Sequence, residues 1–408
     1  LTGLLNRKGI MSALDEAAGG HLHIVDLQQL HLVNDTWGHE VGDRLLQQAG
    51  ERLKACHASI RSASRLDGDS FALVSGPSTS GMEVALAVLS CLDRPFTIGG
   101  RTIQVQGCAG TAELDAALAP MEALRRADVA LHRAKEAGHG TVVAFDSALD
   151  HDRLASAELV ERLRNGLLLG EVKPYFQPIV DGDTGRTVAV EALARWTAPE
   201  GPVSPAVFIP LAERAGLIDA LGTEILRRAL LAAANWDGIS LSVNVSPIQL
   251  CNPEFSRNTM RLIQSSGFDP RRLILEITEG VLMANPEQAT KAISSLKQQG
   301  VRFALDDFGC GFASIGTLRS FGFDRMKIDK SLIDDVDTSD EARRVLEATL
   351  SLARALSIPV TAEGIERPSQ AEVLRAAGCD MMQGYLFGRP VTAADIEYST
   401  ARPMLAAI

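Results

Sequence analysis

The second half of the chain repeats one unit, a short apolar strand followed by a helix. From about residue 155 onward, the alternation of apolar runs and helical periodicity predicts strands at residues 172–179, 187–193, 240–244, 273–277, 301–305, 323–328, 359–362 and 381–385. Several of the intervening helices begin at proline, which is favoured in the first helical turn. Eight strands with helices between them, in about 250 residues, predict a (β/α)8 barrel.

A polar side chain lies at the end of each predicted strand. In a barrel these ends converge on one mouth, where active sites lie. Each residue alone has an ordinary explanation as a turn former, a surface charge or a first-turn carboxylate. A complete set in register is hard to ascribe to solvation. The set is Gln177, Glu191, Asn244, Glu276, Asp306 with Asp307, Lys327 with Asp329, Glu363 and Gln383.

The adjacent carboxylates Asp306 and Asp307 are the centre of this set. Taken alone, the pair fits a helix cap and a solvated loop tip. Together with the other acidic strand ends it would repel strongly unless cations lie between the charges. None of the histidines lies after His151, so a metal ion here would be held by oxygen, which favours Mg²⁺ or Mn²⁺. The sequence therefore predicts a site for phosphoryl chemistry with two metal ions.

The composition indicates which classes of partner and which cellular compartment to expect. The net charge of −11 argues against a nucleic-acid polymer but leaves room for a small phosphorylated ligand. Six cysteines without a C-x-x-C spacing predict a reduced compartment and no disulfide framework. No apolar run approaches the roughly 20 residues that span a bilayer. We therefore expect cytoplasmic domains, with a membrane link only through an upstream region, since the chain begins at Leu1 without a methionine.

The sequence pattern of the first half predicts a separate α+β domain over residues 1–147. An Asp-Gly step between alternating segments predicts a hairpin at residues 61–73. We further predict a polar turn at 33–43. The other predicted elements are strands at 22–27, 96–98 and 102–107 and helices at 44–53, 81–92 and 120–137. A helical linker starts at 148–154, and the second domain covers 155–400.

Motifs in this first half resemble the GGDEF family of diguanylate cyclases. They occur in one order: residues 1–7 (Leu-Thr-Gly-Leu-Leu-Asn-Arg), Val25-Asp26, the 34–43 segment with Asn34 and Asp43, the hairpin Asp67-Gly68-Asp69-Ser70-Phe71, and 126–135 (Arg-Ala-Asp…Ala-Lys). The resemblance implies a cyclase-palm-like fold.

Departures from the family pattern argue against cyclase activity. The family's second hairpin acid is Ser70 here, a poor Mg²⁺ ligand, and its first glycine is Asp67. Asp26 matches a metal position of the family, and Asn34 and Asp43 match its guanine-reading positions. GTP as a regulatory ligand is therefore a hypothesis, while helix capping and turn formation explain the same residues equally well.

Motifs in the second half resemble EAL domains, which open cyclic di-GMP to linear pGpG. The motifs are Tyr175-Phe-Gln177-Pro-Ile179, Glu191-Ala-Leu193-Ala-Arg195-Trp196, Asn244-Val-Ser246, Glu276-Ile-Thr-Glu279, Asp306-Asp307-Phe-Gly309, Lys327-Ile-Asp329, Ala362-Glu363-Gly-Ile-Glu366 and Gln383-Gly-Tyr-Leu-Phe387. The resemblance implies an EAL-type barrel whose first strand runs antiparallel.

The resemblance also implies a role for each residue. Metal ligands would be Glu191, Asn244, Glu276, Asp306, Asp307, Asp329 and Glu363, and catalytic residues would be Lys327, Glu363 and Glu191. Gln177, Leu193, Arg195 and Gln383 would contact cyclic di-GMP or its water network, and Glu279 and Glu366 would support the adjoining loop.

Two further expectations follow from the resemblance. The loop after Asp307 carries Cys310, Phe312 and Ala313 where the family has hydroxyl residues, so its regulation should differ. The family also suggests a homodimer. The leading prediction is a two-metal phosphodiesterase regulated by an inactive GGDEF domain. The alternative is a non-catalytic cyclic-di-GMP receptor, although such receptors typically lose ligands that this chain keeps. A bifunctional cyclase–hydrolase is opposed by Ser70 and Asp67.

Overall fold

The computed structural model describes residues 1–115, 117–278, 285–309 and 315–400. It divides into two compact units, Leu1–Ala157 and Glu158–Ile408, and the division falls within the helix Ser147–Leu169. No helix among the described residues is long and apolar enough to cross a membrane.

The first unit is built on one mixed sheet. Its strands are β1 Gly20–Leu27, β2 Ile60–Asp67, β3 Ser70–Ser75, β4 Phe96–Ile98, β5 Arg101–Ile103, β6 Gly107–Leu114 and β7 Val142–Ala144. The sheet order is β2-β3-β1-β6-β7, with β4 and β5 forming a separate hairpin. The helices are Arg7–Asp15, Leu30–Trp37, His39–Ala55, Gly81–Leu92 and Pro120–Ala137. The predicted 61–73 hairpin is confirmed, since β2 and β3 pair antiparallel.

Both faces of this sheet are covered by helices. Alternation along β1 sends Val25 and Leu27 into one apolar cluster and Leu22 and Ile24 into the other. The unit therefore has three layers, with the sheet in the middle.

The prediction of a polar turn at 33–43 is wrong. The segment belongs to two helices that meet at Gly38, whose φ of +85° breaks the helical path. Leu30 and Val33 are buried one turn apart, but the polar residues around them hid this short apolar stripe.

The predicted pair of strands at 96–98 and 102–107 is found as β4 and β5, but the second strand is shorter than predicted. The chain leaves β5 at Ile103 and starts the long strand β6 only at Gly107. Small residues of low strand propensity hid β6 in the sequence. The structure needs them, because a Cβ at Gly110 would lie 2.1 Å from the Leu131 nitrogen and 2.2 Å from the Ala127 oxygen.

The second unit is a closed barrel with helices outside. Its strands are β8 Val172–Asp181, β9 Thr187–Ala198, β10 Gly201–Val203, β11 Ser240–Asn244, β12 Leu273–Thr278, β13 Arg302–Phe308, β14 Arg325–Ile328, β15 Val360–Ala362 and β16 Met381–Gln383. The helices are Pro205–Arg214, Ile218–Ala233, Pro247–Leu250, Phe255–Ser266, Pro286–Lys297, Ile315–Phe321, Asp340–Ala355, Pro368–Ala376 and Ala393–Thr400, with 3₁₀ turns at Pro270–Arg272 and Lys330–Leu332.

Strand β8 closes the barrel. It pairs antiparallel with β9 and with β16, whereas β9 and the strands from β11 to β16 pair parallel in sequence order. The predicted barrel with an antiparallel first strand is therefore confirmed. Strand β10, a short antiparallel addition to β9, was not predicted.

The two faces of the barrel strands have different characters. Outward residues such as Val190, Ala192 and Val360 join the large apolar core under the helices. Inside the barrel, Ile179, Ala189 and Met381 form a small apolar cluster. The interior is otherwise polar toward the ends of the parallel strands, and this positions the candidate site.

Replacing Gly110 with alanine should destabilise the first unit. The added methyl would collide with backbone atoms of the helix Pro120–Ala137, which cannot move aside as a side chain can. Overpacking of this kind costs about 1–3 kcal/mol. Calorimetric melting of the whole chain should show a lower transition for Gly110→Ala. The control is Gly9→Ala, whose Cβ meets only the Leu5 side chain. An unchanged transition in Gly110→Ala would contradict the packing.

Candidate active site

The strand register gathers the predicted polar residues at one end of the barrel. Glu191 pairs across the sheet with Ser242, and Asn244 pairs with Glu276. Further round, Asp306 pairs with Thr278. Because side chains alternate along a strand, these positions send their functional groups into the barrel mouth.

The Lys327 ammonium lies within a ring of carboxylates. Its Nζ is 2.6 Å from Glu363 Oε1 and 2.7 Å from Glu276 Oε2. Asp306 Oδ1 follows at 3.2 Å and Glu191 Oε2 at 3.5 Å. Lys327 is only 2% exposed, so these charges interact away from bulk water.

Amide side chains hold Glu191 in place. Asn244 Nδ2 donates to Glu191 Oε1 at 2.6 Å, and Gln383 Nε2 donates to Glu191 Oε2 at 2.7 Å. Gln383 Nε2 also lies 3.2 Å from Gln177 Oε1, and Gln177 Nε2 donates to the Gly388 carbonyl at 3.0 Å. Both Glu191 oxygens thus have a defined direction before any ligand binds.

The protonation of the ring reflects burial and mutual repulsion. Burial, then the charge of Glu191, raises the pKa of Glu276 well above its ordinary value. Burial raises the pKa of Glu363 to about 8, although Lys327 opposes the shift. Burial and the neighbouring Asp306 raise the pKa of Asp307. A cation entering the ring would remove this repulsion.

The pKa values of Lys327 and Glu191 both shift in the direction that favours the charged form. Burial lowers the pKa of Lys327, but the surrounding carboxylates outweigh burial and raise it well above the usual value. Burial raises the pKa of Glu191, but Lys327 and the amide of Gln383 outweigh burial and lower it. The ion pair between these two residues is therefore maintained at neutral pH.

A backbone irregularity brings the two neighbouring aspartates to the same mouth. The register between β13 and β14 shifts between Leu305 and Phe308, and Asp307 has a φ of +54°. Regular alternation would send adjacent side chains to opposite faces. Instead, one oxygen each of Asp306, Asp307 and Glu363 lie within 4.8 Å of one another. Among the described residues these three form a group that could hold a metal ion.

Asp329 lies beside this group. Its Oδ1 accepts the Ser331 N–H at 2.9 Å and caps the 3₁₀ turn Lys330–Leu332. Its charge contributes to the raised pKa of Asp307, so the two carboxylates are electrostatic neighbours.

Two cavities open at the mouth. One, of about 340 Å³, is lined by the charged ring, by Gln177 of β8, and by residues at or after the ends of β9, β14, β15 and β16. Its lining residues are Gln177, Glu191, Leu193, Asp306, Lys327, Lys330, Glu363, Gly364, Glu366, Gln383, Gly384 and Tyr385. The other, of about 460 Å³, is mainly apolar and shares Leu193 with the first. Arg195 and Asn244 also line it, so a ligand with flat apolar parts and a charged centre would meet both surfaces.

Sequence reasoning missed a residue that contacts the ring. The Ser242 hydroxyl donates to Glu276 Oε1 and fixes that carboxylate from inside the barrel. Ser242 lies two residues before Asn244, so strand alternation would have placed it on the same inner face.

Of the two residues predicted to support the adjoining loop, the structure describes Glu366. Glu366 is exposed and forms an ion pair with Lys330 at 2.7 Å. Glu279, Cys310, Phe312 and Ala313 lie outside the described residues.

In the first unit, the carboxylate of Asp26 forms an ion pair and accepts hydrogen bonds within the domain. Lys135 Nζ lies 2.7 Å from its Oδ1, the Ser70 hydroxyl donates to Oδ1 at 2.9 Å, and Gln28 Nε2 donates to Oδ2 at 3.0 Å. Asn34 packs its side-chain oxygen against Gly42, where a Cβ would come within 1.9 Å, and Asp43 is exposed.

The barrel mouth therefore has the chemistry of a cation site. Four carboxyl groups converge on one ammonium, and their donor atoms are oxygens of the kind that hard divalent cations prefer.

Comparison with known proteins finds a family match for each of the two units. Residues 1–141 match the family model described as "Diguanylate cyclase, GGDEF domain", and residues 160–390 match the model described as "EAL domain". A protein of Caulobacter vibrioides named "Uncharacterized signaling protein" is 38% identical over 96% of this chain and 50% of its own length.

A second relative comes from Pseudomonas aeruginosa. The "Bifunctional diguanylate cyclase/cyclic di-GMP phosphodiesterase MucR" is 30% identical over 92% of this chain and 56% of its own length. The chain thus spans about half the length of the curated relatives it matches.

A solved structure supports the barrel assignment. "PaMucR Phosphodiesterase, c-di-GMP complex" is 31% identical, covers 59% of this chain and 99% of its own, and has a TM-score of 0.56. With a GGDEF match over the first unit and an EAL match over most of the second, the chain belongs to the GGDEF–EAL proteins.

Proposed function

We propose that the EAL domain hydrolyses cyclic di-GMP to linear pGpG with two Mg²⁺ or Mn²⁺ ions. The observation that carries this proposal is the ring of carboxylates around Lys327 at the barrel mouth. A solved relative with the same fold is named as a phosphodiesterase in complex with c-di-GMP. The complete set of charged residues favours catalysis over binding alone.

The residues present fit divalent cations. Oxygens of Asp306, Asp307 and Glu363 converge within 4.8 Å, and the pKa of Glu363 is raised to about 8 by burial. One ion would be held by Glu191, Asn244, Glu276 and Asp306, and the other by Asp307 with Asp329 and Glu363. When bound, such ions would polarise the phosphate and lower the pKa of water.

The protein side chains would position the reacting groups. Lys327 holds Glu276 and Glu363 in fixed directions, at 2.7 and 2.6 Å. The Glu363 carboxylate would accept a proton from water as the water oxygen attacks phosphorus. The bond from phosphorus to the 3′ oxygen then breaks, and the departing oxygen takes up a proton from solvent to become a hydroxyl group.

The neighbouring cavity would take the nucleobase. Its apolar lining and its volume of about 460 Å³ suit a purine, and Leu193 joins it to the charged ring. Arg195 would contact the dinucleotide, and Gln177 with Gln383 would order the polar side of the ring. A cyclic dinucleotide offers both features, a flat base and a phosphodiester.

We further propose that the GGDEF domain regulates the hydrolase and does not synthesise cyclic di-GMP. Lys135 and Ser70 both contact the Asp26 carboxylate, at the place where the family would hold a metal ion. We also propose that GTP binds as an allosteric ligand through Asp26, Asn34 and Asp43. A further proposal is that the protein forms a homodimer.

Replacing Glu191 with glutamine should abolish hydrolysis. The change removes a charge that Lys327, Asn244 and Gln383 orient, and we expect turnover to fall at least about 100-fold. Chromatography of cyclic di-GMP and pGpG after incubation with Mg²⁺ measures the effect. The matched control is Glu200→Gln, an exposed carboxylate that pairs with Arg162 and should leave turnover unchanged.

Wild-type protein that binds cyclic di-GMP tightly but yields no pGpG with either metal would favour the receptor. Full activity in Glu191→Gln would mean that the metal site is misassigned.

Affinity for Mg²⁺ should rise with pH. The folded pKa of Glu363, at about 8, lies above its ordinary value, so a proton must leave before a cation binds. Below pH 8 we expect the apparent affinity to fall by up to about tenfold per pH unit. Without metal, the same shift makes the domain progressively less stable as pH rises from about 4.5 to about 8, because over that range the folded state keeps a proton that the unfolded chain has released.

Calorimetric titration of metal-free protein at pH 6.5 and 8.5 measures this dependence. Asp307→Asn should bind Mg²⁺ more weakly at both values. Equal affinity at the two pH values in the wild type would show that no carboxyl of the ring titrates on binding.

The first domain should form no cyclic di-GMP from GTP and Mg²⁺. Its Ser70 lacks the charge of the family's acid, and Lys135 occupies the carboxylate of Asp26. The assay is best made in the Glu191→Gln variant, in which a product would not be hydrolysed. Any cyclic di-GMP formed there would refute the assignment. In parallel, calorimetry with GTP tests the allosteric hypothesis, and an absence of heat would end it.

A further inference from the structure

Two thiols of the first domain lie at one helix end. Cys56 caps the helix His39–Ala55, and Cys91 belongs to the last turn of the helix Gly81–Leu92. The Cys56 thiol donates to the Leu53 carbonyl at 3.2 Å, and the Cys91 thiol donates to the Arg52 carbonyl at 3.6 Å. Since these carbonyls are consecutive in one helix, the two sulfur atoms are neighbours although they are far apart in sequence.

A second contact holds the two segments together. Arg52 reaches from the first helix to the turn after Cys91, where it donates to the Pro95 carbonyl at 2.7 Å. Its guanidinium also lies 3.7 Å from the centre of the Phe96 ring. Both cysteines are half-buried, so small oxidants can reach them.

The geometry points to a reversible disulfide between Cys56 and Cys91, formed by a hydroperoxide and opened by thiols. Cys108 and Cys379 are buried, and Cys108 donates instead to the Gly138 carbonyl. The absence of a C-x-x-C spacing concealed the pair in the sequence, because the fold and not the local chain brings the thiols together.

The reaction balances with hydrogen peroxide as the oxidant. The Cys91 thiolate attacks one peroxide oxygen, the O–O bond breaks, and Cys91 becomes a sulfenic acid while hydroxide takes up the thiol proton as water. The Cys56 sulfur then attacks the Cys91 sulfur, the S–O bond breaks, and a second water leaves. Two thiols are oxidised and one peroxide is reduced to two waters.

Cys91 is the thiol that reacts first. Burial raises its pKa, but the nearby guanidinium groups of Arg52 and Arg94 oppose the shift. Burial raises the pKa of Cys56 to about 12 without such help. The thiolate is the nucleophile, so attack on peroxide starts at Cys91 and proceeds slowly at neutral pH.

The closed loop would contain the hairpin of β2 and β3. These strands carry Asp67 and Ser70 of the family's site motif, so oxidation would restrict the part of the domain that bears this motif. A cross-link of this length stabilises the folded state mainly by restricting the unfolded chain. The oxidised first domain should therefore melt several degrees higher than the reduced one.

Peptide mapping of the whole protein after treatment with hydrogen peroxide tests the inference. We expect one cross-linked peptide pair, Cys56 with Cys91, that dithiothreitol reverses. Cys91→Ser should abolish it, and Cys251→Ser, which changes another half-buried cysteine, should not. Pairing of other cysteines, or oxidation of Cys251 with both thiols of the pair intact, would overturn it.

Trapping with dimedone tests the order of attack. Cys56→Ser should accumulate label at residue 91, because no thiol remains to resolve the sulfenic acid. Cys91→Ser should leave Cys56 largely unlabelled. Label found chiefly at Cys56 would refute Cys91 as the attacking thiol, even if the disulfide itself forms.

Discussion

The site depends on one buried ammonium group. Lys327 lies at the centre of the barrel mouth with Glu276 and Glu363 in direct contact and two further carboxylates close by. Removing one partner from such a cluster leaves an uncompensated buried charge, which costs about 3–5 kcal/mol. The lysine therefore makes it possible for the fold to keep so many acidic groups together.

In the barrel, the residues that stabilise the fold are separate from the charged residues at the mouth. Residues on the outer faces of the strands and the inner faces of the helices form one large apolar core, whereas the buried acidic groups and Lys327 lie inside the barrel near the mouth. Because hydrophobic burial outside the barrel stabilises the domain, the mouth can hold mutually repelling groups. The same separation leaves the strand ends free to carry acidic groups.

Much of the second domain could be predicted from the sequence, and the reason is physical. Short apolar runs bounded by polar residues mark the strands, and parallel strand ends converge, so Glu191, Glu276 and Asp306 were expected together. The antiparallel direction of β8 came only from the family resemblance. The bulge at Asp307 depends on pairing with β14, and the bond from Ser242 depends on a neighbouring strand, so neither has a local signal.

The first domain was harder to predict because its elements are set by packing. Strand β6 is made of small residues since a helix lies directly on it, and propensity alone favours no strand there. The helix Leu30–Trp37 is short and polar outside, so only two buried residues mark its inner face. In both segments long-range contacts outweigh the local preference.

The left-handed backbone at Asp307 limits which residues can replace it. Asparagine, like aspartate, tolerates a positive φ far better than most residues. A single base change in the codon can therefore exchange the carboxylate for an amide without straining the bulge. The bulge does not by itself require a charge at this position, whereas a residue with a branched Cβ would strain the backbone there.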